Sequence, residues 1–213
     1  MFNYIFFDLD GTLTNPETGI TKSVMYALEK YGIKEDKSNL LRFIGPPLKD
    51  SFRDFYGFDD DKCMEAIKYY RERYGTIGLF ENEVYCGIID VLKELKENGR
   101  KLYVATSKPT FFSKQIMDRF GLAEYFEYLS GSDLSEKNSD KALVIKAALD
   151  YCKAPKDEVL MVGDRKYDII GAQKNGIKSA GVLYGFGTRK ELCGAGADFI
   201  FENVNDLKKI LEM

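Results

Sequence analysis

The feature that most constrains the fold is a short apolar run near the N-terminus that ends on two acids. Residues 4–7 read YIFF, which is too short for a helix and rich in strand-forming residues. A run that is apolar on both faces predicts a strand inside a parallel sheet. Asp8 and Asp10 follow at alternate positions, so they point to the same side of the strand end, and Gly11 allows a sharp turn. These two carboxylates lie where open α/β sheets bind ligands, although an ordinary acidic turn would use the same residues.

The pattern of the chain changes near residue 84. Between residues 16 and 83 only helix-like segments occur, and they are interrupted at the Gly45-Pro46-Pro47 turn because proline removes backbone donors. From residue 84 onward, short apolar runs alternate with amphipathic segments, which predicts a parallel sheet with helices on both faces. We therefore predict an α/β fold in which residues 1–15 and 84–213 form a doubly wound parallel sheet and residues 16–83 form an inserted all-helical domain.

The predicted elements have approximate bounds. After the first strand, the expected strands are residues 102–105, 125–129, 159–162, 179–183 and 199–201, with a polar loop over residues 130–138. The expected helices are residues 21–31, two pieces within 38–56, 60–74, one around 88–95, one before Gly121, 139–152, 168–174 and 204–212. Thr21 and Ser139 are the predicted caps of two of these helices.

Composition narrows the classes of function. The 213 residues are 45% hydrophobic and 31% charged, as in ordinary globular proteins, and the net charge of −3 gives no sign of a nucleic-acid partner. No apolar run approaches the ~20 residues of a membrane span, and the N-terminus shows no signal peptide. The four cysteines have no C-x-x-C spacing, which is typical of reduced, mostly buried thiols. We therefore expect a cytoplasmic protein without a membrane partner.

The chain contains no histidine. This excludes Ser-His-Asp and Cys-His catalysis and any His-ligated metal. Acid–base chemistry must fall to Asp, Glu, Lys, Tyr or Cys. A metal site would be built from oxygen ligands, which favour Mg²⁺, Ca²⁺ or Mn²⁺.

Polar residues follow three of the predicted strands. The two acids follow the first strand, Thr106 and Ser107 end the second, and Asp164 follows the fourth. The carboxyl ends of parallel strands share one edge of a sheet, and Asp168, four residues after Asp164, faces the same side if a helix begins there. Carboxylates gathered in this way repel one another and raise one another's pKa, which a bound Mg²⁺ would relieve. A solvated loop with an ordinary acid in the first helical turn remains the alternative.

Lys141 breaks a local rule. It lies in the first turn of a predicted helix, where the helix dipole disfavours a cation. Such an exception can mark a functional site. A surface lysine offset by Asp140 is the alternative.

Taken together, these residues resemble the haloacid dehalogenase superfamily, and specifically its phosphatases. The family signature is D-x-D-G-T after the first strand, Thr or Ser at the end of the second, Lys before a helix, and G-D-x-x-x-D after the fourth. The chain contains each part in that order: Asp8-Leu9-Asp10-Gly11-Thr12, Thr106, Lys141, and Gly163-Asp164 through Asp168. The resemblance covers the whole chain, implies a Rossmann-like core, and identifies the helical insert as similar to the family's cap domain.

The resemblance implies a chemistry for the core. Asp8 would be the nucleophile that forms an aspartyl-phosphate, and Asp10 would be the general acid and then the base that activates water. Dehalogenases of this superfamily lack the second acid, so its presence favours phosphoryl transfer. Mg²⁺ would lie between Asp8, the backbone carbonyl of Asp10, and Asp164, while Asp168 would support it or bind it through water.

The remaining core positions would bind the phosphoryl group. Thr106 and Lys141 would hold its oxygens, and backbone N–H groups near Ser107 could add donors. We expect the cap to choose the substrate. The candidate contacts there are the loop with Gly45 and the basic residues Lys22, Arg42, Lys49 and Arg53, although most such charged groups are simply exposed. A nucleoside would need an aromatic face, for which the candidates are Tyr26, Phe43 and Phe52.

The cap and the Gly185-Phe186-Gly187-Thr188 segment most resemble those of phosphoglycolate phosphatases and related bacterial 5′-nucleotidases. The two glycines of this segment are explained better by a tight turn than by a phosphate-binding loop. The expected partner is a small phosphorylated metabolite, phosphoglycolate or else a nucleoside monophosphate, acted on by a monomer or homodimer. A phosphomutase and a non-enzymatic phospho-aspartate receiver are the remaining alternatives. Release of inorganic phosphate over many turnovers would exclude both.

Overall fold

The structure, a computed structural model that describes residues 1–134 and 139–213, contains a parallel six-stranded sheet. The strands are β1 (Tyr4–Phe7), β2 (Thr14–Asn15), β3 (Glu83–Val84), β4 (Lys101–Pro109), β5 (Tyr128–Ser132), β6 (Val159–Gly163), β7 (Lys178–Val182) and β8 (Phe199–Phe201). The main sheet has the order β5-β4-β1-β6-β7-β8, while β2 and β3 pair separately. The predicted α/β fold with a parallel sheet is confirmed.

Nine α-helices occur in the described residues, and short 3-10 segments join some of them. They are α1 (Glu17–Glu29), α2 (Lys37–Leu40), α3 (Leu48–Tyr56), α4 (Asp60–Tyr74), α5 (Ile88–Glu97), α6 (Thr110–Arg119), α7 (Lys141–Cys152), α8 (Lys166–Asn175) and α9 (Arg189–Gly194). The 3-10 segments are Leu41–Phe43, Gly78–Phe80, Ala123–Tyr125, Lys156–Glu158 and Val204–Glu212. Two compact units result: Met1–Asn15 with Val84–Met213, and Pro16–Glu83.

Strand β1 lies at the centre of the sheet because its residues are apolar on both faces. It pairs with β4 on one side and β6 on the other, and Ile5, Phe6 and Phe7 are fully buried. The ladder continues one residue beyond the strand, since the N–H of Asp8 donates to the carbonyl of Val162 at 2.9 Å. The first acid therefore sits on a backbone that its neighbour strand holds in place.

One face of the sheet packs against α7 and α8. Phe6 contacts Tyr103 of β4, with ring centroids 5.2 Å apart, and both belong to a buried cluster that includes Ile145 and Ala148 of α7 and Ala172 of α8. The apolar faces of both helices thus cover the strands that carry the site.

The helical unit has its own core. Helix α1 packs against α4 and against the 3-10 segment Gly78–Phe80. The approach is close at Gly19, where an added Cβ would lie 2.0 Å from the carbonyl oxygen of Gly78. Phe43 and Phe52 are almost fully buried there, with ring centroids 5.1 Å apart.

Two predicted helix starts are wrong. Helix α1 begins at Glu17 after Pro16, and the hydroxyl of Thr21 donates to the carbonyl of Glu17 at 2.6 Å inside the helix. Helix α7 is capped by Asp140, whose carboxylate accepts from the N–H of Ala142 at 2.8 Å. Helix α1 therefore has no side-chain cap, because Pro16 stands at its N-terminus, and Asp140, the residue after Ser139, caps α7.

Two strands also differ from the prediction. Strand β5 begins at Tyr128, because Ala123–Tyr125 forms a 3-10 turn. It extends into the predicted loop 130–138, of which residues 135–138 lie outside the described residues. Strand β4 continues to Pro109 past an irregularity in its pairing with β5.

Two further observations concern the surface. No helix within residues 1–134 and 139–213 has the length and apolar character needed to cross a bilayer. All four cysteines are free thiols, but only Cys63 is buried, while Cys86 and Cys193 are exposed. The prediction of mostly buried cysteines is wrong because these two lie in a connecting segment and in the short α9.

The packing of β1 predicts a large effect for Phe6→Ala. Removing a fully buried aromatic side chain should lower the free energy of unfolding by about 3–5 kcal/mol. The matched control is Phe111→Ala, because Phe111 is 59% exposed. This variant should lower the free energy of unfolding by less than about 1 kcal/mol. Urea titrations of both variants measure the difference. Equal losses would contradict the central position of β1.

Candidate active site

Four buried carboxylates gather at the carboxyl edge of the sheet. Asp8 and Asp10 follow β1, Asp164 follows β6, and Asp168 lies in the first turn of α8. Their exposures are 5%, 8%, 0% and 0%. Because β1 and β6 are neighbours in parallel register, with Phe7 opposite Val162, the residues that follow them emerge side by side. The alternative of a solvated acidic loop is excluded by this burial.

Lys141 stands among these acids. Its Nζ lies 2.8 Å from Asp8 Oδ1 and 2.9 Å from Asp168 Oδ1, and it donates to the carbonyl of Ala105 at 3.1 Å. The side chain is only 4% exposed, so it is not a surface lysine. Gly171 of α8 makes room for it, since a Cβ there would lie 3.0 Å from Lys141 Cγ.

The electrostatics of the cluster are dominated by burial. Burial alone would lower the pKa of Lys141, but the carboxylates of Asp168 and Asp8 outweigh it and raise this pKa above its ordinary value. Burial raises the pKa of Asp164 well above its usual range, and repulsion by Asp168 and Asp8 adds to the shift. Burial also raises the pKa of Asp168 to about 6, against the opposing effect of Lys141. In the absence of a further cation, the buried site thus disfavours the ionised forms of Asp164 and Asp168.

Local contacts hold Asp168 in place. Its Oδ2 accepts from the N–H of Arg165 at 3.0 Å, as part of the N-terminal cap of α8. Gly163 allows this carboxylate to approach β6, because a Cβ at that position would lie 2.1 Å from Asp168 Cγ. The glycine before the acid of the G-D-x-x-x-D motif is therefore required by packing.

Asp164 is enclosed by two turns. Its Oδ2 accepts from the N–H of Phe186 at 2.8 Å, and its Oδ1 accepts a longer bond from the Thr12 hydroxyl at 3.4 Å. A Cβ on Gly11 would lie 2.3 Å from Asp164 Oδ2, and one on Gly185 would lie 2.4 Å from Asp164 Cβ. The 185–187 segment is therefore a turn that supports Asp164, a role that sequence reasoning missed. The pair of glycines around Phe186 was the available signal.

Three of the acids form a set that could hold a metal ion. Oxygens of Asp8, Asp164 and Asp168 lie within 4.8 Å of one another, and all three residues are buried. The resemblance implied that Asp10 binds the metal through its backbone carbonyl. The side chain of Asp10 is not part of this set. Carboxylate oxygens are the donors that hard divalent cations prefer.

Formal charge supports the same fit. The four buried carboxylates are accompanied by two buried ammonium groups, Lys141 and Lys108, which leaves a formal charge of −2. Uncompensated buried charge is costly. One divalent cation would neutralise the cluster.

Asp10 has a separate partner. Its Oδ2 lies 2.5 Å from Nζ of Lys108, whose side chain is only 7% exposed. Its Oδ1 is buried and has no hydrogen-bond partner within the described part of the chain. Burial raises the pKa of Asp10, while Lys108 opposes the shift. Sequence reasoning did not single out Lys108, because a lysine after a strand is common on protein surfaces.

Thr106 and Ser107 lie at the end of the regular part of β4, next to β1. Thr106 is 2% exposed, and its Oγ1 accepts from the N–H of Lys108 at 3.3 Å. The carbonyl of Ser107 accepts from the Ser132 hydroxyl at 2.7 Å. On the other strand, the N–H of Leu9 donates to Asp8 Oδ1 at 2.7 Å. Strand β4 thus brings its polar end to the same sheet edge as the acids.

The predicted cap contacts all lie in the helical unit, where the basic residues have acidic partners. Lys49 Nζ is 3.0 Å from Asp60, and Arg53 pairs with Asp50 and with Asp54. The Arg42 guanidinium lies 4.2 Å from the ring centroid of Phe55 and 3.9 Å from Glu35. Gly45 has φ of +106° in the turn before α3.

The predicted aromatic face for a nucleoside is wrong for two of its three residues. Phe43 and Phe52 are 2% and 0% exposed and form the interior of the helical unit, so neither ring can stack on a base. They are buried because α3 and the 3-10 turn before it pack through these rings. Tyr26 is partly exposed and lies beside Lys30, whose Nζ is 4.4 Å from its ring centroid.

The chain is similar in sequence and in structure to several known proteins. The family model of haloacid dehalogenase-like hydrolases matches residues 5–182. The chain is 43% identical over 209 residues to a 5′-nucleotidase from Pseudomonas aeruginosa, across 98% of this chain and 95% of the relative. It also matches the solved structure of a predicted phosphatase from Clostridium acetobutylicum, with a TM-score of 0.97, 51% identity and 100% of both chains covered. A predicted phosphoglycolate phosphatase from Haemophilus somnus matches with a TM-score of 0.85 and 25% identity, covering 98% of this chain and 97% of that one.

The three-carboxylate set predicts that Mg²⁺ stabilises the folded protein. Mg²⁺ at a free concentration of 100 times its Kd would add about 2.7 kcal/mol to the free energy of unfolding. Most of this stabilisation by Mg²⁺ should be absent in Asp164→Asn, because the substitution removes one charged ligand. The matched control Asp150→Asn changes a carboxylate that is 65% exposed and should keep it. Thermal unfolding with and without MgCl₂ measures the effect, and full stabilisation of the Asp164 variant would disprove the site.

Proposed function

The chain belongs to the haloacid dehalogenase-like hydrolase family and is a phosphoric monoester hydrolase, and we propose that it is Mg²⁺-dependent and uses Asp8 as its nucleophile. The main support for this proposal is the buried cluster of charged side chains at the end of β1. There Asp8 lies 2.8 Å from Lys141 and within 4.8 Å of the other two acids of the metal set, while Asp10 lies two residues on.

Asp8 suits nucleophilic attack because it is buried, held by β6 and next to a fixed ammonium group. In the first step, its carboxylate oxygen forms a bond to phosphorus, and the bond from phosphorus to the leaving oxygen breaks. Lys141 and Thr106 stabilise the negative charge of the phosphoryl oxygens during this transfer. The product is an aspartyl-phosphate on Asp8.

Asp10 handles the protons in both steps. In its protonated form it gives a proton to the leaving oxygen, and then as a carboxylate it takes one from the water that attacks phosphorus. In this second step the bond between phosphorus and the Asp8 oxygen breaks, which releases inorganic phosphate and restores the Asp8 carboxylate. Its Oδ1 is buried and has no hydrogen-bond partner among the described residues, and we propose that this oxygen carries the proton. Burial raises the pKa of Asp10, which favours the protonated form that the first step needs.

Asp8, Asp164 and Asp168 would hold the cation. They fit Mg²⁺ because they supply buried hard oxygens and because the cluster has an excess formal charge of −2. When bound, Mg²⁺ supplies positive charge to the phosphoryl oxygens and lowers their repulsion of the attacking carboxylate. Asp168 Oδ1 also lies 2.9 Å from Nζ of Lys141.

For the substrate, we propose a small phosphate monoester, with nucleoside 5′-monophosphates as the first class to test and phosphoglycolate as the second. The support for this order is that the relative named as a 5′-nucleotidase is 43% identical, whereas the phosphoglycolate phosphatase structure is 25% identical. The helical unit remains the proposed source of selectivity, although its basic residues have acidic partners.

The test is phosphate release from a panel of small monoesters in the presence of Mg²⁺. Asp8→Asn should bind no phosphoryl group covalently and lose at least about 10³-fold in kcat, because an amide is a poor nucleophile. The exposed-site variant Asp150→Asn should keep wild-type rates. Comparable turnover by the Asp8 variant would overturn the proposal, as would full wild-type activity in excess chelator. Transfer of phosphate back to the product would indicate a phosphomutase instead.

A further inference from the structure

An irregularity in β4 directs a lysine toward the general acid. In the pairing of β4 with β5, Thr106 lies opposite Gly131, but the next pair joins Pro109 to Ser132. Ser107 and Lys108 are therefore extra residues on β4. Such bulges redirect side chains and occur often beside active sites. Here the extra residues turn the Lys108 side chain into the interior, where only 7% of it is exposed.

Strand β5 and helix α6 fix the bulge. The Ser132 hydroxyl donates to the carbonyl of Ser107 at 2.7 Å, and the Ser113 hydroxyl lies 3.5 Å from the carbonyl of Lys108. Gly131 allows the backbones to approach, because a Cβ there would lie 2.8 Å from the carbonyl oxygen of Lys108. These contacts hold the backbone that carries the Lys108 side chain.

The ammonium group of Lys108 determines the orientation of the Asp10 carboxyl group. Nζ of Lys108 lies 2.5 Å from Asp10 Oδ2, whereas Asp10 Oδ1 is buried without a hydrogen-bond partner among residues 1–134 and 139–213. A buried carboxylate oxygen without a partner is unfavourable. The ion pair fixes the orientation of the carboxyl group, so that one oxygen, Oδ2, faces Lys108 and the other, Oδ1, is left for another group.

We propose that Lys108 is a positioning residue that holds the Asp10 carboxyl with Oδ1 toward the leaving oxygen of the substrate. This inference rests on the proposed function, because it assumes that Asp10 exchanges protons with substrate and water. Lys108 then acts on catalysis through Asp10 and makes no required contact with the phosphoryl group. Its loss should lower kcat and leave KM nearly unchanged.

A double-mutant cycle tests this inference. Lys108→Met and Asp10→Asn should each lower kcat on an alkyl phosphate, by up to the 10²–10⁴-fold range that is typical of general acid–base catalysis. The double variant should be no slower than Asp10→Asn alone, because both changes remove the same function. The double variant also removes both buried charges, whereas Lys108→Met alone leaves the Asp10 carboxylate without its partner. The double variant therefore remains informative if Lys108→Met folds poorly. Lys108→Arg should recover activity to within about tenfold of the wild type, and Lys114→Met, at an exposed lysine of α6, is the matched control.

A burst experiment provides a signature that a merely structural role would not produce. p-Nitrophenyl phosphate has a good leaving group and needs little proton donation, so Lys108→Met should release about one equivalent of nitrophenolate quickly and then turn over slowly. Multiplied losses in the double variant would overturn the inference, as would a rise in KM at unchanged kcat. If Asp10→Asn itself is fully active on the alkyl phosphate, the proposed function of Asp10 fails. If only Lys108→Met is fully active, the positioning role alone fails.

Discussion

The contact of Lys141 with Asp8 and Asp168, inside the protein, is the interaction on which the site depends. Charges are expensive to remove from water, and buried acids are tolerated only when they are paired or bind a cation. Lys141 offsets part of the negative charge, and Lys108 offsets another part beside Asp10. The remaining formal charge favours a divalent cation at the cluster, as we propose, and such a cation would attract a phosphoryl group. Stability and function therefore share one electrostatic requirement.

The topology of the sheet brings these charges together. Because β1 lies between β4 and β6, the residues that follow the three strands meet at one edge although they are distant in sequence. Helices α7 and α8 add Lys141 and Asp168 from their first turns. Small residues then determine how closely the groups approach, as at Gly163, where any side chain would collide with Asp168. The same packing excludes water, so each ion pair acts in an environment of low polarity.

Much of this arrangement could be predicted from the sequence because it is encoded locally. The YIFF run, the alternation of strands and helices, and the spacing of the acids each follow from a few neighbouring residues. Features that depend on contacts between distant segments were missed. The bulge that turns Lys108 inward requires β5, and the support of Asp164 by Phe186 requires a turn 22 residues away. The aromatic rings of the helical unit also appeared available until packing showed Phe43 to be buried.

We propose that phosphate is transferred through Asp8 and that Asp10 activates water in the second step. The most direct measurement is acid quenching of Asp10→Asn after brief mixing with Mg²⁺ and an activated phosphate ester, followed by peptide mapping by mass spectrometry. We expect one phosphoryl group per protein molecule, attached to Asp8, because transfer proceeds and hydrolysis of the intermediate is slow. Absence of any covalent phosphate, or its attachment to a different residue, would contradict this role of Asp8.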